Sequence, residues 1–249
     1  MPGIIKGKVG TLSTLTAENQ IFVDQNTEIE NYVTLDASEG PIIIEKDVKI
    51  LAQTTIRGPV FIGEGTTIRE GSCIRSTSIG PHCKIGGEVS CSIFNSYSNK
   101  AHDGFVGHSY IGSWVNLGAG TTMSNLKNNY NPIKLHTASG TVDTGEQFLG
   151  SFIGGHSKTA IGTRLNAGTV LGFGSSIIGN ALHHRWIPEF SWGESGQYQR
   201  HDYAKFINTA TKMMERRGQS LARNDVELLQ LLHDQSCSTP TKKTTNIEV

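Results

Sequence analysis

The run Asn99-Lys100-Ala101-His102-Asp103-Gly104-Phe105-Val106-Gly107-His108 places an imidazole among acidic, basic and glycine residues. Histidine titrates near working pH, so His102 is suited to take a proton from a nucleophile. Glu88 and Asp103 either orient that imidazole or satisfy nearby loop amides. Arg75 carries a planar cation apt for bidentate contact with phosphate; it is equally readable as a solvated residue stacked over Arg57. The stretch Asn125 to Asn131 is either a substrate-side loop or a set of turns, because asparagine tolerates positive φ.

A six-residue period must position these groups. Ile44, Ile50, Ile56, Ile62, Ile68 and Ile74 recur every sixth residue. Val48, Thr54, Val60, Thr66 and Ser72 follow four residues behind the first five. The phase slips by one, resumes at Ile79, Ile85 and Cys91, and returns at Ile111, Leu117, Ile153, Ile161, Ala167 and Phe173. Neither an amphipathic helix nor an alternating strand has this period. It fits a three-sided coil in which each hexad supplies one short strand and one corner, with the aliphatic residue inward. Residues eighteen apart then stack, which sets Ile44 under Ile62 and Arg57 under Arg75. The fold class expected is all-β, a parallel β-helix over residues 1–180. Loop insertions are expected near 92–105 and 123–149.

Residues 181–235 read as a connector and two helices. One spans 200–217, with Phe206, Ala210, Met213 and Met214 on one face; the other opens at Asn224 and Glu227, paired as a capping box. Trp186, Phe190 and Trp192 are expected to pack on the last coil, and the tail 236–249, rich in Thr, Ser and Lys, to be disordered. Twenty-two basic and 22 acidic residues cancel, leaving no electrostatic footprint for nucleic acid or an anionic membrane. No apolar stretch approaches the ~20 residues of a membrane helix, and the N-terminus lacks a signal peptide's apolar core. Four cysteines without a CxxC pair favour a reducing, cytoplasmic compartment.

The His102 phrase, followed by Asn116-Leu117-Gly118-Ala119-Gly120-Thr121 and Asn125, resembles the acetyltransferase half of the bifunctional bacterial enzyme that makes UDP-N-acetylglucosamine. Gly86-Gly87-Glu88-Val89, Leu126-Lys127-Asn128-Asn129-Tyr130 and Phe190-Ser191-Trp192-Gly193 resemble a divergent, sugar nucleotidyltransferase-like branch of it. The resemblance covers roughly residues 36 to 217. It implies a left-handed coil, a homotrimer with clefts between prisms, and acetyl-CoA as co-substrate. His102 matches the base, Asn116 a sugar contact, Asn125 a group beside the reacting carbonyl and Arg75 the phosphate-holding arginine. Asn99, Phe105 and Lys127 fall on the substrate side, and Lys100 stands in for a phosphate-site lysine that is Ser90 here. Gly155, His156 and Ala167 line the acetyl-CoA cleft. Departures are Leu126 and Phe105 in place of tyrosines and Gly155 in place of aspartate.

No Gly-rich phosphate loop precedes the coil, so the chain is expected to be a stand-alone acyltransferase or a domain cut from a longer protein. The function implied is N-acetylation of an amino sugar or its phosphate or nucleotide. Two other readings stay open. One is a non-catalytic sugar-phosphate-binding or oligomerisation module. The other is a zinc enzyme like the β-helical carbonic anhydrases, in which His102 would join His108, His136 and His156, although the six-residue offset of His102 and His108 sets them on different sides of the prism.

Overall fold

The computed structural model describes residues 3–236. From Ile4–Ile5 to Ser191–Gly193 the backbone winds as a parallel coil of three faces. Face 1 is a ten-stranded sheet that begins at Ile4–Ile5, passes through Val60–Ile62 and Tyr110–Ile111, and ends at Trp186–Ile187. Face 2 stacks six strands from Lys8–Val9 to Asn99–Lys100. It resumes past Asn116 with Lys158–Thr159, Ser176–Ile177 and Ser191–Gly193. Face 3 stacks six strands from Thr14–Thr16 to Phe105–Gly107, and Thr122–Met123 pairs with Arg164–Leu165 beyond them.

The expected ladders form. Ile62 lies in register with Ile44 and Ile79, Ile68 with Ile50 and Ile85, and Arg75 with Arg57. Strands of two or three residues cannot stand alone, so stability comes from stacking one turn on the next. Each fully buried isoleucine contributes about 1.5–3 kcal/mol. Val48, Thr54, Val60, Thr66 and Ser72 are buried too, closing the corners from inside.

The corner between faces 1 and 2 repeats one conformation. Asn26, Asp47, His82, Tyr97, Trp114, His156 and Phe190 all have φ between 51° and 62°. That left-handed turn costs a non-glycine residue about 1–2 kcal/mol. Here it lets the corner N–H groups bond the turn below, His82 to the Glu64 carbonyl and Trp114 to that of Ser96. The rings also stack, Tyr97 on Trp114 at 4.2 Å and 7°.

Several expectations need correction. The start of the coil is not among them: it turns before Ile44 too, with Val23, Ile29 and Leu35 buried at the same spacing of six. The stretch 92–105 is not a loop: Ile93–Phe94 and Asn99–Lys100 are coil strands, and the turn is merely shortened at Gly86-Gly87. Cys91 is an exposed corner residue with φ 47°, and Ile161 is 74% exposed, so neither points inward. The coil runs on to Gly193, absorbing residues assigned to the connector, and Trp192 faces outward while Phe190 is buried at its corner against Phe206 and Leu229.

The insertion near 123–149 is present and carries an antiparallel hairpin, Lys134–Thr137 with Gly140–Asp143. Helix α1 is Tyr203–Glu215, capped by Asp202 and burying Phe206, Ala210 and Met214. Helix α2 is Arg223–Ser236. Asn224 lies within it, and Asp225 caps its start by accepting from the Ala222 N–H. The remainder of the tail lies outside the described residues.

Candidate active site

Face 2 presents Asn99 and Asn116 side by side on its outer surface, the Asn99 amide donating to Asn116 Oδ1 at 3.4 Å. Asn116 bridges onward to Lys158, which the sequence reading missed because the insertion hid the hexad phase. Burial pushes the Lys158 amine down to about 8, and it donates to the His156 carbonyl at 3.0 Å.

His102 occupies the next corner, between faces 2 and 3, with its side chain exposed. Lys100, two residues before it, takes an inward position in register with Ile85. Its ammonium donates to the Gly86 carbonyl at 2.7 Å and the His102 carbonyl at 2.9 Å. Burial pushes this lysine down to about 8, against the opposing pull of Asp103 and Glu88. At 2% exposure it does not offer a free cation to a phosphate, contrary to expectation. It serves the corner from within. A Cβ at Gly87, where φ is 73°, would lie 2.8 Å from its Nζ, so the glycine makes room for the amine.

Face 3 carries Arg75, Glu88 and Phe105 outward. Glu88 is in register between Cys73 and Phe105. Arg75 stacks on Arg57, with Ser90 and then Gly107 in the turns above. Asn125 opens the insertion at the following corner, and its amide nitrogen lies 2.8 Å from His108 Nδ1. Gly107 permits this crowding, because a Cβ there would collide with both the Phe105 ring and Asn125 Nδ2. Lys127 donates to the Pro132 carbonyl at 3.1 Å within the insertion.

The residues expected on the acetyl-CoA side separate. Ala167 is buried at the corner between faces 3 and 1. Gly155 and His156 sit at the corner between faces 1 and 2, under the helices. There they line a cavity of about 440 Å³ together with Trp114, Phe173, Met214 and Leu229. His156 is 9% exposed, its ring 6.0 Å from Phe206, and its Nδ1 has no partner. Burial, with Lys158 nearby, pushes it down to about 4. His183 and His233 are buried as well, with Tyr198 and Arg200 as partners.

No family model matches the chain. Relatives do match. A bifunctional sugar-1-phosphate nucleotidylyltransferase/acetyltransferase of Sulfurisphaera tokodaii is 34% identical over 171 residues, 68% of this chain and 42% of that protein. The bifunctional protein GlmU of Methanococcus vannielii is 33% identical over 171 residues, 66% of this chain and 39% of its own. The chain belongs to the hexapeptide-repeat acyltransferase family. An uncharacterized acetyltransferase of Escherichia coli, YaiX, is 26% identical over 168 residues, 66% of this chain and 73% of that protein. This hexapeptide-repeat chain thus spans about two fifths of the length of the first two relatives.

On the hexapeptide-repeat prism the candidate residues form two sets. Asn99, Asn116, His102, Arg75, Phe105 and Asn125 run around faces 2 and 3, while Gly155 and His156 lie at the opposite edge of face 2. Among the described residues, no group of three His, Cys, Asp or Glu side chains is placed to hold a metal ion.

Proposed function

We propose that this protein is an acetyl-CoA-dependent N-acetyltransferase acting on an amino sugar, its phosphate or its nucleotide, and that it works as a homotrimer in the cytoplasm. The observation that carries the reading is the exposed His102 imidazole one corner from the Asn99–Asn116 pair, in a chain related to a protein named bifunctional sugar-1-phosphate nucleotidylyltransferase/acetyltransferase. His102 takes a proton from the neutral sugar amine as its nitrogen attacks the thioester carbonyl. A C–N bond forms, the C–S bond breaks, and the proton passes to the departing thiolate. Asn116 contacts the sugar. Asn125 donates to the carbonyl oxygen as charge develops there. Arg75, exposed beneath the small residues Ser90 and Gly107, receives a sugar phosphate.

Oligomerisation is supported by face 1. Its outer ladder reads Phe22, Ile43, Phe61, Ser78, Ile93, Tyr110, Phe152, Val170 and Trp186, where faces 2 and 3 present mainly polar side chains. The free thiols Cys73, Cys83 and Cys91 suit a reducing compartment. Among the described residues no helix is long and apolar enough to cross a membrane.

A second reading, a non-catalytic sugar-phosphate module, draws on the burial of His156 beneath α1, which covers one side of the expected donor cleft. Thiol release from acetyl-CoA with a panel of amino sugars separates the two. His102→Ala is expected to lower turnover by about 10²-fold or more. Sugar binding without thiol release in the parent favours the module, and full turnover in His102→Ala removes the base.

A further inference from the structure

Resting on the acyl-transfer reading, we propose that His108 is a positioning residue of the same site. Its Nδ1 holds the Asn125 carboxamide so that the second N–H of that amide faces the reacting carbonyl, and a proton on Nδ1 breaks the hold.

Asn125 Nδ2 lies 2.8 Å from His108 Nδ1. An amide nitrogen only donates, so Nδ1 accepts and the ring's own hydrogen sits on Nε2. The amide keeps one N–H and its oxygen for other partners. Both residues are fixed from behind. The His108 N–H donates to the Ser90 carbonyl at 3.0 Å, and the Gly150 N–H donates to the His108 carbonyl at 2.8 Å. Its ring stacks on Phe148 at 5.5 Å. The Asn125 carbonyl accepts from the Leu149 N–H at 3.0 Å, so the returning limb of the insertion clamps both partners. Gly107 leaves room for Phe105 on one side of the amide.

The setting disfavours a second proton on the ring. Burial disfavours an imidazolium, and the Arg75 guanidinium adds like-charge repulsion. Phe148 and Asn125, the partners supplied by the insertion, are uncharged. Once Nδ1 is protonated, two donors face each other. The amide must then turn its oxygen toward the ring, which carries the donor away from the carbonyl. The sequence reading considered His108 only as a metal ligand.

The test has two arms. In protein labelled with ¹⁵N-histidine, the His108 nitrogen shifts are followed against pH in the parent and in Asn125→Ala. The Nε2–H tautomer is expected, with a midpoint below that of free histidine that rises in the variant. The Nδ1–H tautomer in the parent, or a midpoint unmoved by Asn125→Ala, overturns the hold. In the second arm, His108→Leu is expected to lower kcat about tenfold with KM little changed and to make the acid limb of kcat shallower, falling with the protonation of His102 alone. His108→Gln, whose side-chain oxygen still accepts, restores most of kcat but keeps the shallower limb. Unchanged kcat and pH profile in His108→Leu overturn the proposal. A parent without turnover on any amino sugar counts against the acyl-transfer reading, and the shift titration then decides the hold by itself.

Discussion

Lys100 occupies a place where the four turns below have isoleucine, and it is buried with its charge directed at two carbonyls. The shortened turn at Gly86-Gly87 aims the Gly86 and His102 carbonyls inward, and only a long donor reaches both. Lys100→Met keeps the volume and removes the donor. One buried and one part-buried carbonyl then lose their donor, the buried one at a cost of about 1–3 kcal/mol, partly offset because no ammonium is buried. The variant is expected to unfold in urea about 1–3 kcal/mol more easily, with turnover reduced because the His102 backbone is no longer pinned. An unshifted urea midpoint contradicts this assignment. The His102 phrase was readable in the sequence because its neighbours are contiguous. The inward turn of Lys100 was not, since it depends on residues lost from a corner, and counting by six carried the phase to Cys91 instead.

At the scale of elements, the corner between faces 1 and 2 and the helices over it form one layered unit. Helix α1 lays Phe206 against His156, Phe173 and Phe190 at 5.1 to 6.5 Å. Beyond its end, Arg217 donates to the His82 carbonyl and lies 5.6 Å from the Tyr97 ring centre. A neutral His156 belongs in this layer and a charged one does not. Its folded pKa, about 4, lies below the ordinary 6.5. Its contribution to stability is therefore fully present above pH 6.5 and is lost as the pH falls from there through 4. The thermal midpoint is expected to drop between pH 7 and pH 5, and His156→Asn, which suits a left-handed corner, to shrink that drop. His108, His183 and His201, all held below their ordinary values by burial, leave a residual acid sensitivity. Equal drops in parent and variant contradict the role given to His156. The ladder from Ile44 to Ile74 was legible because one period governed it throughout. Val23, Ile29 and Leu35 keep that spacing in the earlier turns, but longer corners around them blurred it. The burial of His156 was illegible, because the helix that covers it lies some fifty residues further along the chain.

For the whole molecule, the unequal chemistry of the three faces decides how copies meet. Ile43 and Tyr110 are 41% exposed and Ile93 is 50% exposed on face 1, within a ladder that is apolar or aromatic from Phe22 to Trp186 except at Ser78. Ile93→Lys with Tyr110→Lys inserts two like charges into that surface and is expected to shift a trimer to monomers by light scattering, with the circular dichroism of the coil retained. A trimer that persists unchanged moves the interface elsewhere. A site drawing on both sets of candidate residues then joins neighbouring copies, and the double variant is expected to lose turnover along with assembly. The insertion adds a separate lesson. The chain departs the stack after Met123 and rejoins it near Gly150, yet Tyr110 still pairs with Phe152 and Thr122 with Arg164. Because departure and return share one corner, the excursion adds length while the face 1 ladder runs on unbroken. Its hairpin is thus free to be lengthened, trimmed or exchanged by recombination, so this architecture can acquire a new ligand preference while its scaffold stays untouched.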